Sequence, residues 1–168
     1  MSARDVLLDQ FERIRDAVYP AVNALTFEEL AFRPDGESNS ISWLVWHLTR
    51  VQDRTVASLM GRETVWTANG WFARFALDLD PADTGVGHDP ATVAKVTSGA
   101  KPLLDYFEDV HRRTVGWLGS LDDATLSDVL DDTVQPPVTV ESTLDGVIAD
   151  NLQHVGQAAY VRGLVQRR

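Results

Sequence analysis

The chain has 168 residues, 44% of them hydrophobic, and no cysteine, which suits one globular domain with its own core and excludes disulfides and thiolate metal ligands. Its 25 acidic and 15 basic side chains leave a formal charge of −10, which repels phosphate backbones and argues against a nucleic-acid partner. No apolar run approaches the roughly 20 residues that span a bilayer, and the start, Met1-Ser2-Ala3-Arg4-Asp5, lacks the form of a signal peptide, so a cytoplasmic protein without a membrane partner is expected.

Four long segments carry helical periodicity. The first runs from about Ala3 to Ala24, with Val6, Leu7, Phe11, Ile14, Val18 and Val22 at three- and four-residue intervals, and Pro20 kinks or shortens it. Residues 33–39 then read as a loop. The second helix starts at Ser40, a good N-cap, and runs to about Met60, with Gly61 placed as a C-cap glycine. The third is expected to start at Asp89-Pro90 and to continue through Leu118, with Gly99 and Pro102 as irregularities. The fourth begins near Ser142 or Thr143 and reaches about Val165.

Two connections are long for a simple bundle. Residues 62–88 hold Trp66, Trp71, Phe72 and Phe75, an aromatic cluster that reads first as core under a loop, then the glycine-rich Thr84-Gly85-Val86-Gly87-His88. Residues 119–141 include a short helix over 122–130 and then the extended Gln135-Pro136-Pro137-Val138-Thr139-Val140. Long loops in a compact domain often carry function. The expected fold is all-α, an up-down four-helix bundle with two long elaborated loops, as a single domain over 1–168.

The chain has only four histidines. His47 lies mid-helix on the face of Leu44 and Val51, and His154 shares a stripe with Val147, Asp150, Ala158 and Val161. Asp150 and His154 are four apart, so their side chains meet on one helix face. One carboxylate and two imidazoles from facing helices make a ligand set that divalent ions accept, zinc above all, and three protein ligands leave open positions as in catalytic sites. A metal would also compensate a buried Asp150. The plain alternative is a helix pair of charge and imidazole together with a hydrogen-bonded core histidine.

Other constellations are weaker. Glu108 and His111 form a Glu-x-x-His element, but a di-iron bundle needs a second one and none exists; both are expected to face solvent beside Arg112 and Arg113. No nucleophile elbow, Walker loop or dinucleotide fingerprint is present. Gly85 and Gly87 are expected to turn the chain tightly into the third helix. His88 is read as a residue of that helix's capping region or as one that supports the metal ligands from behind.

The runs Asn39-Ser40-Ile41-Ser42-Trp43-Leu44-Val45-Trp46-His47-Leu48 and Asp150-Asn151-Leu152-Gln153-His154-Val155-Gly156-Gln157, with Gly70-Trp71, Asp83–His88 and Pro136-Pro137-Val138, resemble the DinB-like superfamily over nearly the whole chain. The resemblance implies an up-down bundle that holds one metal through His47, Asp150 and His154. Many members have His-x-x-x-His in the last helix; the aspartate at 150 departs from that pattern and looks closer to the mycothiol-dependent maleylpyruvate isomerase branch. Being short, Asp150 could ligate directly, bind through water, or orient His154. Gln157, in the His-x-Gly-Gln signature, is expected to stand behind the ligands.

The resemblance further implies a transferase that activates a low-molecular-weight thiol, whether mycothiol, bacillithiol or glutathione, for attack on an electrophile. Arg-rich, Lys-poor and Ala/Val-rich usage is the bias of a GC-rich genome and favours mycothiol. The cofactor expected is a divalent metal, zinc first, with nickel and manganese also acceptable. Arg50, Arg54 and Trp71 are candidates to bind substrate, the arginines through an anionic group, with a solvated arginine face as the plain alternative. A homodimer is allowed for, because related bundles often pair and exposed tryptophans would permit it. Two rival functions stand beside the transferase: a non-enzymatic binding or stress protein, and a metal-dependent hydrolase that uses bound water as nucleophile.

Overall fold

The computed structural model describes residues 2–168. In chain order its helices are α1 (Ala3–Val22), α2 (Phe27–Ala31), α3 (Ile41–Met60), α4 (Val65–Ala68), α5 (Trp71–Phe75), α6 (Pro90–Val93), α7 (Ala100–Gly119), α8 (Asp123–Leu126) and α9 (Val140–Val165); strands β1 (Val129–Asp131) and β2 (Val138–Thr139) pair antiparallel before α9. The fold is an all-α helical bundle with this one small hairpin.

Local chemistry sets most helix ends. Ser2, Thr26 and Thr139 each form a capping box, and Ser40, Asp89 and Asp122 accept a hydrogen bond from the backbone of the third residue beyond. Gly61 closes α3 in the left-handed conformation that glycine adopts without strain. The first helix ends at Val22, two residues beyond Pro20, and the last starts at Val140, earlier than expected, because Thr139 supplies the cap.

The expected continuous third helix is corrected. It is two helices, the single turn α6 and the long α7, with residues 94–99 between them. Pro102 falls in the first turn of α7, where its missing N–H costs nothing. Had the helix run on from Pro90, that ring would have clashed with the carbonyl of Ser98.

Residues Ser40–Arg50 are buried without interruption. The run Ile41–Leu48 is apolar nearly all round, the signature of a helix covered on every side. Helix α3 packs on α7 and α9, and α1 completes the ring against the same two partners, so α1 lies diagonal to α3.

Pairings along the helices give their directions. Gln52 meets Asn151 while Leu44 shares a cleft with Gln157 and Val161, so α3 and α9 are antiparallel. Ser42 meets Ser98, Arg50 meets Tyr106 and Gln52 meets Thr114, so α3 and α7 run the same way. Arg4 bonds Leu121 and Arg15 bonds Glu108, so α1 opposes α7. The four long helices therefore run up, down, down, up. A parallel pair needs a connection that climbs back along the bundle, about 30 Å for 20 residues, and residues 61–99 are that crossover.

Aromatic side chains of the crossover anchor it to the bundle. Trp66, Phe75 and Tyr106 pack with ring centroids 5.0–5.9 Å apart, and the cluster is core under a loop, as its composition suggested. Trp43, Trp46, Trp66 and Trp71 are all buried. The fifth, Trp117, is partly buried, so none of the tryptophans is exposed, contrary to expectation. No helix among the described residues is long and apolar enough to cross a membrane.

Candidate metal centre

His47 on α3 and Asp150 and His154 on α9 converge, each offering one ligand atom, and the three atoms lie within 4.8 Å of one another. Asp150 Oδ1 is 3.3 Å from His154 Nε2 and 3.9 Å from His47 Nε2. Bonds of about 2.1 Å at a tetrahedral angle place donors about 3.4 Å apart. The two imidazoles stand edge to face, 4.7 Å between centroids, and each brings its Nε2 within 4 Å of Asp150 Oδ1.

The other nitrogen of each imidazole is already engaged. His47 Nδ1 lies 2.5 Å from the carbonyl oxygen of Thr84 and donates to it; His154 Nδ1 donates to Gln157 Oε1 at 2.9 Å. With Nδ1 carrying the hydrogen, Nε2 keeps its lone pair for a cation, the arrangement that orients histidine ligands. Asp150 Oδ2 is buried with no hydrogen-bond partner among the described residues. A buried unpaired carboxylate oxygen is costly, and a cation beside it removes the cost. On this donor set the three residues fit a divalent metal, with Asp150 turned directly toward the shared point.

Electrostatics separates the two histidines. Burial holds the His47 imidazole below its ordinary value, a pull that the Thr84 carbonyl and Asp150 only partly offset. Burial pulls His154 down too, but its bonds to Asp150 and Gln157 outweigh it and the net shift is upward. The upward shift favours a proton on the imidazole that faces Asp150, and such a proton competes with a cation for that position.

The glycine-rich loop supports His47 from behind, and α3 holds that loop at successive turns. Trp43 stacks on His47, 4.6 Å between centroids and 12° from parallel, and its Nε1 donates to His88 Nδ1 at 3.1 Å. His88 Nε2 therefore carries the hydrogen and donates to the Asp83 carboxylate at 2.9 Å. The same carboxylate accepts the backbone N–H of Gly85, and these bonds outweigh the burial that would raise its pKa, leaving it lowered. Arg50 donates to the carbonyls of Asp83 at 3.0 Å and Pro81 at 3.1 Å. Trp43, His47 and Arg50, at helical spacing, thus grip residues 81–88 along one face.

Gly85 is more than a turn. Its φ is +94°, and a Cβ there would sit 2.8 Å from His47 Nδ1 and 3.0 Å from the Trp43 ring. Only glycine lets the backbone come close enough for Thr84 to reach the imidazole.

A second polar chain fixes the meeting of α3 with α9. Asn151 donates to Gln52 at 2.7 Å and Gln52 donates to Thr114 at 2.8 Å, all three side chains being fully buried. Any slide of α9 along α3 breaks these bonds, and Asn151 is the neighbour of Asp150. Sequence reasoning missed this chain; a polar residue on the inward face of each of three helices was the available signal.

The other sequence-predicted residues are distributed as follows. Gln157 touches His154 directly. His88 reaches the centre through Trp43 and through the loop, and it caps no helix. Arg50 is 1% exposed, lies over the Trp66 ring and is 3.6 Å from Asp53; with its guanidinium committed to those groups and to loop carbonyls, it is a structural arginine rather than an anion receptor. Arg54 is exposed and lines, with Arg50, Arg62 and Thr67, a cleft that holds none of the three ligands. Trp71 donates to Asp109 at 2.9 Å under the Arg74 guanidinium, away from the three ligands. Glu108 and His111 do not face solvent as expected: His111 is buried between α1 and α7 against Glu12, and Glu108 bonds Arg15 and Tyr19.

The comparisons with known proteins agree with this fold. A crystal structure described as a conserved protein of locus from Enterococcus faecalis superposes with a TM-score of 0.91 at 30% identity, covering 100% of this chain and 99% of that one. No curated protein matches. The family model of the DinB superfamily matches residues 10–158, and the chain belongs to that superfamily.

Proposed function

We propose that the protein is a metal-dependent transferase that conjugates a low-molecular-weight thiol, mycothiol before bacillithiol or glutathione, to an electrophile. The observation that carries the reading is the convergence of two Nε2 lone pairs and one aspartate oxygen at a point where both Nδ1 atoms are already bonded. When bound there, a divalent metal, zinc before nickel or manganese, lowers the pKa of a coordinated thiol so that a thiolate exists at neutral pH.

The chain's own residues do the rest. His47, Asp150 and His154 supply three ligands and leave a position for the substrate. Thr84 and Gln157 fix the tautomer of each imidazole. The neutral form of His47 is secured by its burial. With no cysteine in the chain, the sulfur must arrive with the cosubstrate.

The test is elemental analysis of freshly purified protein, followed by conjugation of monobromobimane with mycothiol, bacillithiol, glutathione or no thiol. One metal per chain and thiol-dependent turnover are expected. Turnover indifferent to thiol would establish the hydrolase instead, and a metal-free protein without turnover would leave the binding function.

A further inference from the structure

Two contacts hold the His47 imidazole away from its ligating nitrogen: the Thr84 carbonyl at Nδ1 and the Trp43 indole stacked on its face. Both trace to one carboxylate. Asp83 Oδ1 accepts the backbone N–H of Gly85 at 2.8 Å, which closes the turn that presents the Thr84 carbonyl. Both Asp83 oxygens lie 2.9 Å from His88 Nε2, and His88 Nδ1 accepts from Trp43 Nε1 at 3.1 Å. Among the described residues Asp83 bonds none of the three proposed ligands itself.

The direction of these bonds dictates what can stand at position 83. An indole N–H only donates, so His88 Nδ1 must accept and its hydrogen sits on Nε2. The group beyond must then be an acceptor, and an ionised carboxylate is nothing else. Burial alone would raise the Asp83 pKa, yet the bonds from Gly85 and His88 leave it lowered, so the acceptor stays ionised at neutral pH. Arg50 pins the main chain at the same residue by donating to the Asp83 carbonyl at 3.0 Å. The indole so held also stands edge-on to His154, with centroids 6.1 Å apart, and thus walls both imidazoles.

We propose that Asp83 is a positioning residue for the metal ligand His47 and acts through two arms, Gly85 to the Thr84 carbonyl and His88 to the Trp43 indole. The first arm fixes which imidazole nitrogen carries the hydrogen, and the second fixes the plane of the ring. Ligand orientation of this kind is set by groups that never touch the metal. The proposal rests on His47 being a metal ligand and is independent of the thiol chemistry.

The experiment follows two quantities in the full chain. Nitrogen-15 magnetic resonance of the metal-free protein, at a pH where both imidazoles are neutral, reads the tautomers of His47 and His88; chelator competition reads zinc affinity. The wild type should carry the hydrogen on Nδ1 of His47 and on Nε2 of His88. Asp83→Ala removes both arms, so His47 should populate both tautomers and zinc affinity should fall about 10–100-fold. Trp43→Phe keeps a stacked ring and removes only the indole donor. His47 should then keep its tautomer and the affinity loss should be smaller.

Asp83→Asn should match Trp43→Phe. Its amide oxygen still serves Gly85, while its NH2 faces His88 Nε2 and drives that hydrogen to Nδ1, against the indole N–H. Combining Asp83→Asn with Trp43→Phe should cost no more than either alone, because both cut the same arm. Wild-type zinc affinity in Asp83→Ala, an unchanged His88 tautomer in Asp83→Asn, or full additivity of the two milder variants would each overturn the proposal. Should Asp83→Ala fail to fold, the last two results still decide it. A wild-type chain that takes up no zinc removes the metal centre instead, and the tautomers of the metal-free chain then show separately whether Asp83 governs His47.

Discussion

His47 and Thr84 lie 37 residues apart and are joined by a 2.5 Å contact between Nδ1 and a backbone carbonyl oxygen. The contact couples the crossover connection to the candidate metal centre: the segment that returns the chain along the bundle also sets the tautomer of a proposed ligand. It exists because Gly85 has no side chain.

Gly85→Ala should therefore damage metal binding without unfolding the protein. The added carbon would meet His47 Nδ1 at 2.8 Å in a backbone conformation that strains any L-residue, so the loop must withdraw and the carbonyl contact lengthens. Groups that orient a metal ligand are worth about 10–100-fold in affinity. Competition titration with a zinc chelator should show a loss of that size with unchanged helical circular dichroism; wild-type affinity would refute the coupling.

Asp150 tests whether the carboxylate ligates directly. Asp150→Asn keeps the shape and removes the charge, so zinc affinity should drop at least as far as in Gly85→Ala. His47→Ala and His154→Ala should purify without stoichiometric metal. Elemental analysis and thermal melts of the four proteins decide the matter, and full metal content in Asp150→Asn would show that the carboxylate is no ligand.

The Gln52–Asn151 pair should behave as a register device. Asn151→Leu leaves Gln52 buried with an unmet acceptor, at a cost of about 1–3 kcal/mol. Adding Gln52→Leu should restore much of the stability, because an apolar pair replaces a polar one, yet not the metal affinity, because the slide between α3 and α9 is no longer fixed. Urea denaturation and zinc titration of the single and double variants would show this split. Recovery of both quantities together would make the pair a packing feature only.

Metal binding should be linked to one proton. The folded-state pKa of His154 is raised above 6.5, so protonation favours the metal-free fold: that stability is fully present below pH 6.5 and is lost as pH rises through the folded value. A cation displaces the same proton. Zinc affinity should rise with pH until His154 is deprotonated, with a proton released to buffer below that point. The His47 value is lowered, so it adds no second proton near neutrality. Calorimetry of the wild-type chain in buffers of different ionisation enthalpy measures the count, and zinc binding that releases no proton below the folded value would refute the linkage.

Periodicity, caps and breakers were enough to place three of the four long helices, because those signals are local: Ser40 and Gly61 bound α3 whatever it packs against. They fail at the third, where Gly99 and Pro102 read as irregularities within a helix but together start one. The short strands β1 and β2 went unseen because a pairing of three residues with two is made by the partner strand, not by either run. His47, Asp150 and His154 stood out because histidine is scarce here and four-residue spacing is itself geometry.

What the sequence determined alone was the ligand chemistry and the helices that carry it, both set within a few residues of chain. Tertiary structure decided the rest. The up-down-down-up order, the burial of Arg50 and Trp71, and the return of Thr84 to His47 all depend on contacts between residues tens of positions apart. No local propensity encodes such contacts; they arise when parallel helices α3 and α7 force the chain to travel the bundle's length, and whatever it lays down on the way becomes the wall of the site.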